Sequence, residues 1–292
     1  MKRLLCLIFS VTAAFSTAQD ALRPAIENAY HAWRDAIIHR DVITWQKVTA
    51  LHRQIEVKNR ILSEKRAFPA AVFDLPSPPP SLTDLQFLEA KQNGATAKAS
   101  YFGKIDFGVG GTPTENLLVL SLIRGHGGWL YDRADFVNLA GLPDVRKELA
   151  KGELQYLKET PETQPSGVIP PTPVEVWPAK HIAKVYVFCP GREVRVQINK
   201  ISQHRFANAK EAEIVIGGAL DGPNEVQFTT QKLAGGTDKE VMTLRVYLLS
   251  EVEGIQPIKA FEYQIAAGEN PKPFHSATFT LDAAMAAKLV AH

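Results

Sequence analysis

The chain has 292 residues, 45% of them hydrophobic, and a formal net charge of +2 at pH 7. This length allows a large buried core and about two domains, at ~100–200 residues per domain. The near-neutral charge argues against a nucleic-acid partner or an anionic membrane surface, because either would need an excess of basic residues. We therefore expect a folded, two-domain protein that binds no nucleic acid.

Residues 1–18 have the organisation of a secretory signal peptide. Lys2-Arg3 precede a short apolar run, and small residues lead to a cleavage site after Ala18. The apolar run is shorter than the ~20 residues that span a bilayer, so we expect no membrane-spanning helix in the mature protein. Cleavage would remove two basic and no acidic residues and bring the net charge to zero. The predicted location is periplasmic or extracellular.

The cysteine content gives a second constraint on the exported protein. Cleavage would remove Cys6 and leave Cys189 alone. A single thiol forms no internal disulfide, so the fold must depend on its hydrophobic core. Cys189 follows an apolar run, and we expect it to be a buried small hydrophobic residue; the alternatives are an intermolecular bridge and a reactive thiol.

Residues 23–73 carry the spacing of helices. Four large apolar side chains fall on one stripe of the first helix: Ile26, Tyr30, Trp33 and Ile37. Arg40-Asp41 interrupt this pattern, and a second short helix starts at Val42. Residues 51–73 form a longer basic segment whose charges indicate a solvated helix face.

A trio of polar residues on the first helix resembles a set of metal ligands. His31, Asp35 and His39 recur every four residues. At 100° per residue this trio lies opposite the apolar stripe, which favours a solvated face. We therefore predict no metal site. We also expect no cofactor, because the sequence contains no phosphate-binding glycine loop, zinc-protease motif or serine-hydrolase motif.

Four extended runs predict the sheet of the first domain. Residues 82–91 and 96–107 flank an Asn93-Gly94 turn, and residues 116–137 form a hairpin about a glycine cluster. Asp132 and Asp135 should lie on opposite faces of the last strand, because strand side chains alternate. A final helix is expected over residues 143–158.

The strand at 117–123 is apolar on both faces. The helices of residues 25–73 can cover only one face, so something else must cover the other. The alternatives are a homodimer through this sheet, the helix at 143–158 and the C-terminal domain. We favour the homodimer, because a stiff linker works against close docking of the second domain.

The second half of the chain begins with a proline-rich stretch. Residues 159–178 hold six of the 19 prolines, which is typical of a semi-rigid linker. Beyond it, seven short strands separated by turn residues indicate an antiparallel sandwich: 181–188, 192–199, 211–216, 224–232, 240–250, 258–266 and 274–281. The predicted organisation is a signal peptide at 1–18, an α+β domain at 19–158, a linker at 159–180 and a β-sandwich at 181–292. Asp282 should cap a short final helix.

Two short motifs resemble the superfamily of nuclear transport factor 2, ketosteroid isomerase and the SnoaL-like cyclases. Residues 36–45 (Ala-Ile-Ile-His-Arg-Asp-Val-Ile-Thr-Trp) are similar to the junction between that family's first two helices, and residues 127–131 (Gly-Gly-Trp-Leu-Tyr) to the entry of its last strand. The resemblance implies a cone of helices on a curved antiparallel sheet. Such a cone holds a small apolar ligand in some members, and Tyr30, Trp33 and Tyr101 are the residues expected to line it.

The C-terminal domain resembles β-sandwich modules of bacterial exported proteins. The passage from residue 212 to residue 228 is similar to the strand–turn–strand passage of carbohydrate-associated jelly rolls. A sugar site normally shows exposed aromatic rings, whereas Phe206, Phe228 and Tyr247 lie in strand patterns that favour burial.

Scattered Ser, His and Asp residues form no recognisable catalytic set. We therefore expect a non-catalytic exported protein that binds a protein or glycan partner, or serves as a scaffold, in the cell envelope. The alternative is an enzyme of isomerase or cyclase type, or a ligand carrier, that uses the cone cavity.

Overall fold

The computed structural model describes residues 12–108, 110–237, 239–252 and 254–289. Residues 1–11 of the predicted signal peptide lie outside this range. The fold is mixed α+β with three antiparallel sheets. The chain divides into two compact units: residues up to Gln54 together with Val72–Thr172, and Ile55–Ala71 together with Pro173–His292. Within the described part of the chain, no helix is both long and apolar enough to cross a membrane.

Three helices open the chain: α1 (Thr12–Ile38), α2 (Val42–Val48) and α3 (Leu51–Ser63). The apolar stripe predicted for α1 is buried from Ile26 to Ile37, while Asp35 and His39 on its other side are exposed. α1 ends just before Arg40, whose φ is 54°. Asp41 then caps α2 by accepting a hydrogen bond from the Thr44 amide at 3.0 Å.

The sheet of the first unit is a meander of β1 (Gln86–Asn93), β2 (Thr96–Ile105), β3 (Thr114–Gly125) and β4 (Gly128–Asn138). The predicted central hairpin is confirmed as β3 and β4. Its register shifts between Ser121 and Leu122, because β4 carries a bulge at Asp132. A bulge places one extra residue in the strand and interrupts the alternation of faces. The prediction that Asp132 and Asp135 lie on opposite faces rested on that alternation and ignored the bulge.

The strand at 117–123 is buried on both faces, as predicted. On one face Leu117 and Val119 pack with Leu149 and Leu157, which belong to α4 (Pro143–Ala150) and α5 (Gln155–Glu159). The single helix expected over 143–158 is broken at Gly152, whose φ is 78°. Because the chain itself covers this face, the apolar surface on which the homodimer prediction rested is not exposed.

The second unit contains two four-stranded antiparallel sheets with strand orders β11-β10-β5-β8 and β12-β9-β6-β7. The strands are β5 (Ile182–Phe188), β6 (Arg192–Ile198), β7 (Ser202–Ala207), β8 (Lys210–Ile214), β9 (Gly222–Lys232), β10 (Met242–Leu249), β11 (Ile258–Ile265) and β12 (Phe274–Leu281). The prediction missed β7. Residues of both sheets form one core, which includes the buried free thiol of Cys189. Asp282 caps α6 (Ala283–Ala287) as predicted.

Residues 55–71 belong to the second unit by their contacts, whereas the sequence placed them in the first domain. Two buried polar side chains explain this. The Asn59 amide donates to the Val174 carbonyl at 2.8 Å and accepts from the Val176 amide at 3.0 Å. The Ser63 hydroxyl accepts from the Gly217 amide at 2.8 Å. These side chains bind backbone groups, so this part of α3 is more than a solvated face.

Candidate functional site

Two of the three residues predicted to line a cone cavity lie together on α1. Tyr30 is fully buried, and its hydroxyl donates to the Pro80 carbonyl at 2.8 Å. The Trp33 ring stacks on Tyr131 of β4, with 3.8 Å between ring centroids. Burial raises the pKa of the Tyr30 phenol, which therefore stays neutral at physiological pH.

Tyr101, the third predicted residue, lies on β2 and is also buried. Its hydroxyl donates to Glu27 Oε1 at 3.1 Å, and its ring meets Phe87 edge-on. Burial, and then the nearby Glu27 charge, raise the pKa of the Tyr101 phenol. The three aromatic side chains therefore pack as part of the core of the first unit.

A Ser–His–Glu chain joins β7 to β8 in the second unit. The Ser202 hydroxyl lies 2.7 Å from His204 Nε2, and His204 Nδ1 lies 2.6 Å from Glu213 Oε2. These are the distances of a catalytic triad. These residues look scattered in the sequence, because the unpredicted strand β7 carries Ser202 and His204, and the contact with Glu213 of β8 joins strands of two different sheets.

The serine of this chain is not accessible to a substrate. Ser202 has no solvent exposure, and its oxygen accepts a hydrogen bond from the Ile216 amide at 2.7 Å. A nucleophile must reach its substrate, with oxyanion donors near the attacked atom. The arrangement instead satisfies buried polar groups where the edge strands β7 and β8 meet.

The outer face of the β12-β9-β6-β7 sheet carries a shallow cleft of about 400 Å³. Two rows of polar side chains cross it. One row consists of Arg205, Arg195 and Thr229, and the next of Gln203, Gln197 and Gln227. Phe274 of β12 is the register partner of Thr229 and is 56% exposed. We call this surface the arginine–glutamine cleft.

Glu193 holds the two arginines of the cleft in place. Its carboxylate accepts from Arg195 Nε at 2.7 Å and from Arg205 Nε at 2.8 Å, and the residue is buried. The hydrogen bond from Arg205, and then that from Arg195, lower the pKa of the Glu193 carboxyl. The two guanidinium groups are therefore held in a fixed geometry against one carboxylate.

The arginine–glutamine cleft was not identified from the sequence. A signal for it exists, because residues 193–198 alternate between polar and apolar side chains, and Arg195 and Gln197 fall on the polar face. The partner row lies on β7, a strand that was not predicted. Phe274 was placed at the start of a predicted strand, where its exposure could not be judged.

Comparison with known proteins adds no functional assignment. No protein-family model matches the sequence. A search of curated proteins gives no match either. Among solved structures, a chain that holds two C2 domains of extended synaptotagmin 2 is similar at a TM-score of 0.12 and 8% identity, over 68% of this chain and 90% of that one. A score this low carries no argument about fold or function.

Proposed function

We propose that this protein is an exported, non-catalytic binding protein of the cell envelope that recognises an acidic glycan through the arginine–glutamine cleft. The observation that carries the proposal is the pair of guanidinium groups held by the buried Glu193 beside an exposed aromatic ring. Export rests on the signal-like residues 1–18.

The chemistry of the cleft matches that of an acidic polysaccharide. Guanidinium groups bind carboxylates through paired N–H donors, and side-chain amides both donate to and accept from sugar hydroxyls. An exposed aromatic ring offers an apolar surface to the C–H face of a sugar. A shallow, open cleft suits a chain that continues past the site at both ends.

The burial of the candidate catalytic side chains supports a non-catalytic role. Tyr30, Trp33 and Tyr101 are packed in a core, and Ser202 is inaccessible. The alternative, an isomerase-type or cyclase-type enzyme that uses a cone cavity, needs an open space among these aromatic side chains. Their stacking and burial disfavour that alternative.

We further propose that the first unit is a cone of the nuclear transport factor 2 and SnoaL-like type, and that the second is a β-sandwich. The packing of Trp33 of α1 on Tyr131 of the meander supports the first assignment. The core shared by the two sheets supports the second. We do not propose the predicted homodimer, because Leu149 and Leu157 cover the sheet face on which it was based.

Affinity electrophoresis of the mature protein in gels containing polygalacturonate or neutral dextran tests the glycan proposal. We expect polygalacturonate to retard the protein and dextran to leave its mobility unchanged. Arg195→Ala should weaken binding at least tenfold, since one guanidinium–carboxylate pair contributes about 1.5–3 kcal/mol. Phe274→Ala should also weaken binding, because it removes the apolar surface offered to the sugar ring.

Arg245→Ala is the matched control. It removes an arginine of β10, in the other sheet, that is bound to Glu262 at 2.5 Å. This variant has the same loss of charge and should bind like the wild type. Equal weakening by Arg195→Ala and Arg245→Ala would mean that only net charge matters, and an absence of retardation in polygalacturonate would refute the proposal.

A further inference from the structure

The charges on the outer face of the β12-β9-β6-β7 sheet are separated into rows. The arginines of the arginine–glutamine cleft lie in one row and the glutamines in the next. The third row contains a carboxylate, Glu225 of β9, which accepts a hydrogen bond from Gln227 Nε2 at 2.8 Å. Successive rows on one face of a sheet are about 7 Å apart along the strands. An acidic glycan that followed the strands would pass from cations to a carboxylate, so the favourable path crosses the strands.

The arginine row itself runs from a charged end to an aromatic end. Its register partners across four neighbouring strands are Arg205, Arg195, Thr229 and Phe274. Neighbouring strands lie about 5 Å apart, so the backbones at Arg195 and Phe274 are about 10 Å apart. Among the residues that line the cleft, the two arginines carry the positive charges. A glycan that lies along this row meets cations at one end and an uncharged aromatic surface at the other.

Arg195 has the guanidinium edge that is open to a ligand. Arg205 binds the Glu193 carboxylate through both Nε at 2.8 Å and Nη2 at 2.6 Å. Arg195 binds it through Nε at 2.7 Å, and its side chain is 66% exposed. Of the residues that the structure describes, none is hydrogen-bonded to the Arg195 Nη nitrogens. Two adjacent N–H donors match a carboxylate, so the row offers one such group a paired contact at Arg195.

Phe274 suits a neutral sugar better than a second acidic one. Its side chain is 56% exposed and belongs to β12, an edge strand. The face of an aromatic ring carries partial negative charge, which favours the C–H groups of a sugar and disfavours a carboxylate. Thr229, between Phe274 and Arg195, is also uncharged. A carboxylate on a sugar ring over Phe274 would lie two strands away from the Arg195 guanidinium.

From these observations we propose that the arginine–glutamine cleft recognises a glycan in which acidic and neutral sugars alternate. This inference rests on the proposed function and specifies its ligand. The glycan crosses the strands, with one carboxylate on the Nη edge of Arg195 and a neutral ring on Phe274. The glutamine row lies beside this path and offers amide groups to hydroxyl or acetamido substituents of the sugars.

Isothermal titration of the mature full-length chain with two hexasaccharides tests this inference. In a hyaluronate hexasaccharide, glucuronate alternates with neutral N-acetylglucosamine. Hexagalacturonate has the same length and a carboxylate on every ring. We expect the hyaluronate hexasaccharide to bind about fivefold more tightly, because its neutral ring packs on Phe274. Binding governed by charge alone would give the reverse order, since this hexasaccharide carries half the charge.

Variants of two cleft residues assign the contacts. Arg195→Gln should weaken binding of both hexasaccharides about tenfold, because both place a carboxylate on its Nη edge. Phe274→Ala should bring the ratio of the two affinities close to one, whereas Phe274→Tyr keeps an aromatic ring and should retain the preference. Arg245→Gln, on β10 of the other sheet, is the charge control and should bind like the wild type.

Two outcomes would overturn alternation and leave recognition of an acidic glycan in place. One is equal or tighter binding of hexagalacturonate by the wild type, and the other is an unchanged affinity ratio in Phe274→Ala. Absence of binding by both hexasaccharides would overturn the glycan proposal and this inference with it.

Discussion

At the scale of single residues, Ser202 shows how a catalytic-looking group can be structural. We predict that Ser202→Ala destabilises the protein by about 1–3 kcal/mol, because the half-buried Ile216 amide and the buried His204 Nε2 lose their shared partner. Urea unfolding followed by far-ultraviolet circular dichroism, which reports the strands of the second unit, measures this change. The exposed Ser276 on β12 supplies the control, since Ser276→Ala should alter stability by less than about 0.5 kcal/mol.

The Ser202 hydroxyl should also be unreactive toward electrophilic probes. A fluorophosphonate probe labels accessible, activated serines, and we expect it to leave Ser202 unmodified in the folded protein. Labelling that disappears in Ser202→Ala would contradict the structural role and would reopen the enzyme alternative.

Glu193 should make the stability of the folded protein depend on pH. Its pKa in the folded protein is below the unfolded value of about 4.3, so its stabilising effect is present above that pH and is lost as the pH falls through the folded pKa. The thermal midpoint of Glu193→Gln should therefore lie below that of the wild type at pH 7, and the gap should close under acid conditions. Glu211→Gln, at an exposed position of β8, is the control and should show no such gap.

At the scale of elements, α4 covers an apolar face of the first sheet, which would otherwise need a second copy of the chain to bury it. Leu149 is fully buried against Leu117 and Val119. Leu149→Ala should cost about 2–5 kcal/mol in urea unfolding, because it leaves a cavity over β3. Lys147→Ala, at an exposed position of the same helix, should cost less than about 0.5 kcal/mol. A similar small effect of Leu149→Ala would mean that α4 does not cover the sheet in solution.

The bulge in β4 is a feature that the period-2 alternation of the sequence does not predict. Period-2 alternation assigns faces correctly only while the ladder is regular, and the extra residue at Asp132 shifts every position after it. Asp132, the bulged residue, lies 2.7 Å from His52. Burial lowers the pKa of the Lys98 ammonium, and the Asp135 and Asp132 carboxylates act in the opposite direction. No pattern in the sequence of residues 128–138 predicts the bulge.

At the scale of the whole molecule, export is tested by the N-terminus of the mature protein. Among the residues whose burial is described, the buried positions of α1 from Leu22 to Ile37 all follow a cut after Ala18. Mass spectrometry of protein from the native host should find Gln19 at or near the start. Intact Met1 on most molecules would show that residues 1–18 are not a cleaved signal.

Limited proteolysis tests the organisation into two units. Residues 161–167 are bound to the first sheet, whereas Val168, Val174 and Trp177 are 70%, 80% and 88% exposed. We expect proteinase K to cut first between residues 168 and 177. First cleavage within β3 or β4 would show that the boundary lies elsewhere.

Local patterns in the sequence were enough to predict the α1 stripe, the β3–β4 hairpin, the Asp282 cap and most strands of the second unit. These follow from periodicity and turn chemistry, which act between residues close in the chain. The cover of the first sheet and the pairing of β6 with β7 that forms the arginine–glutamine cleft became known from the three-dimensional structure. Those features depend on which distant residues meet, and no local pattern carries that information.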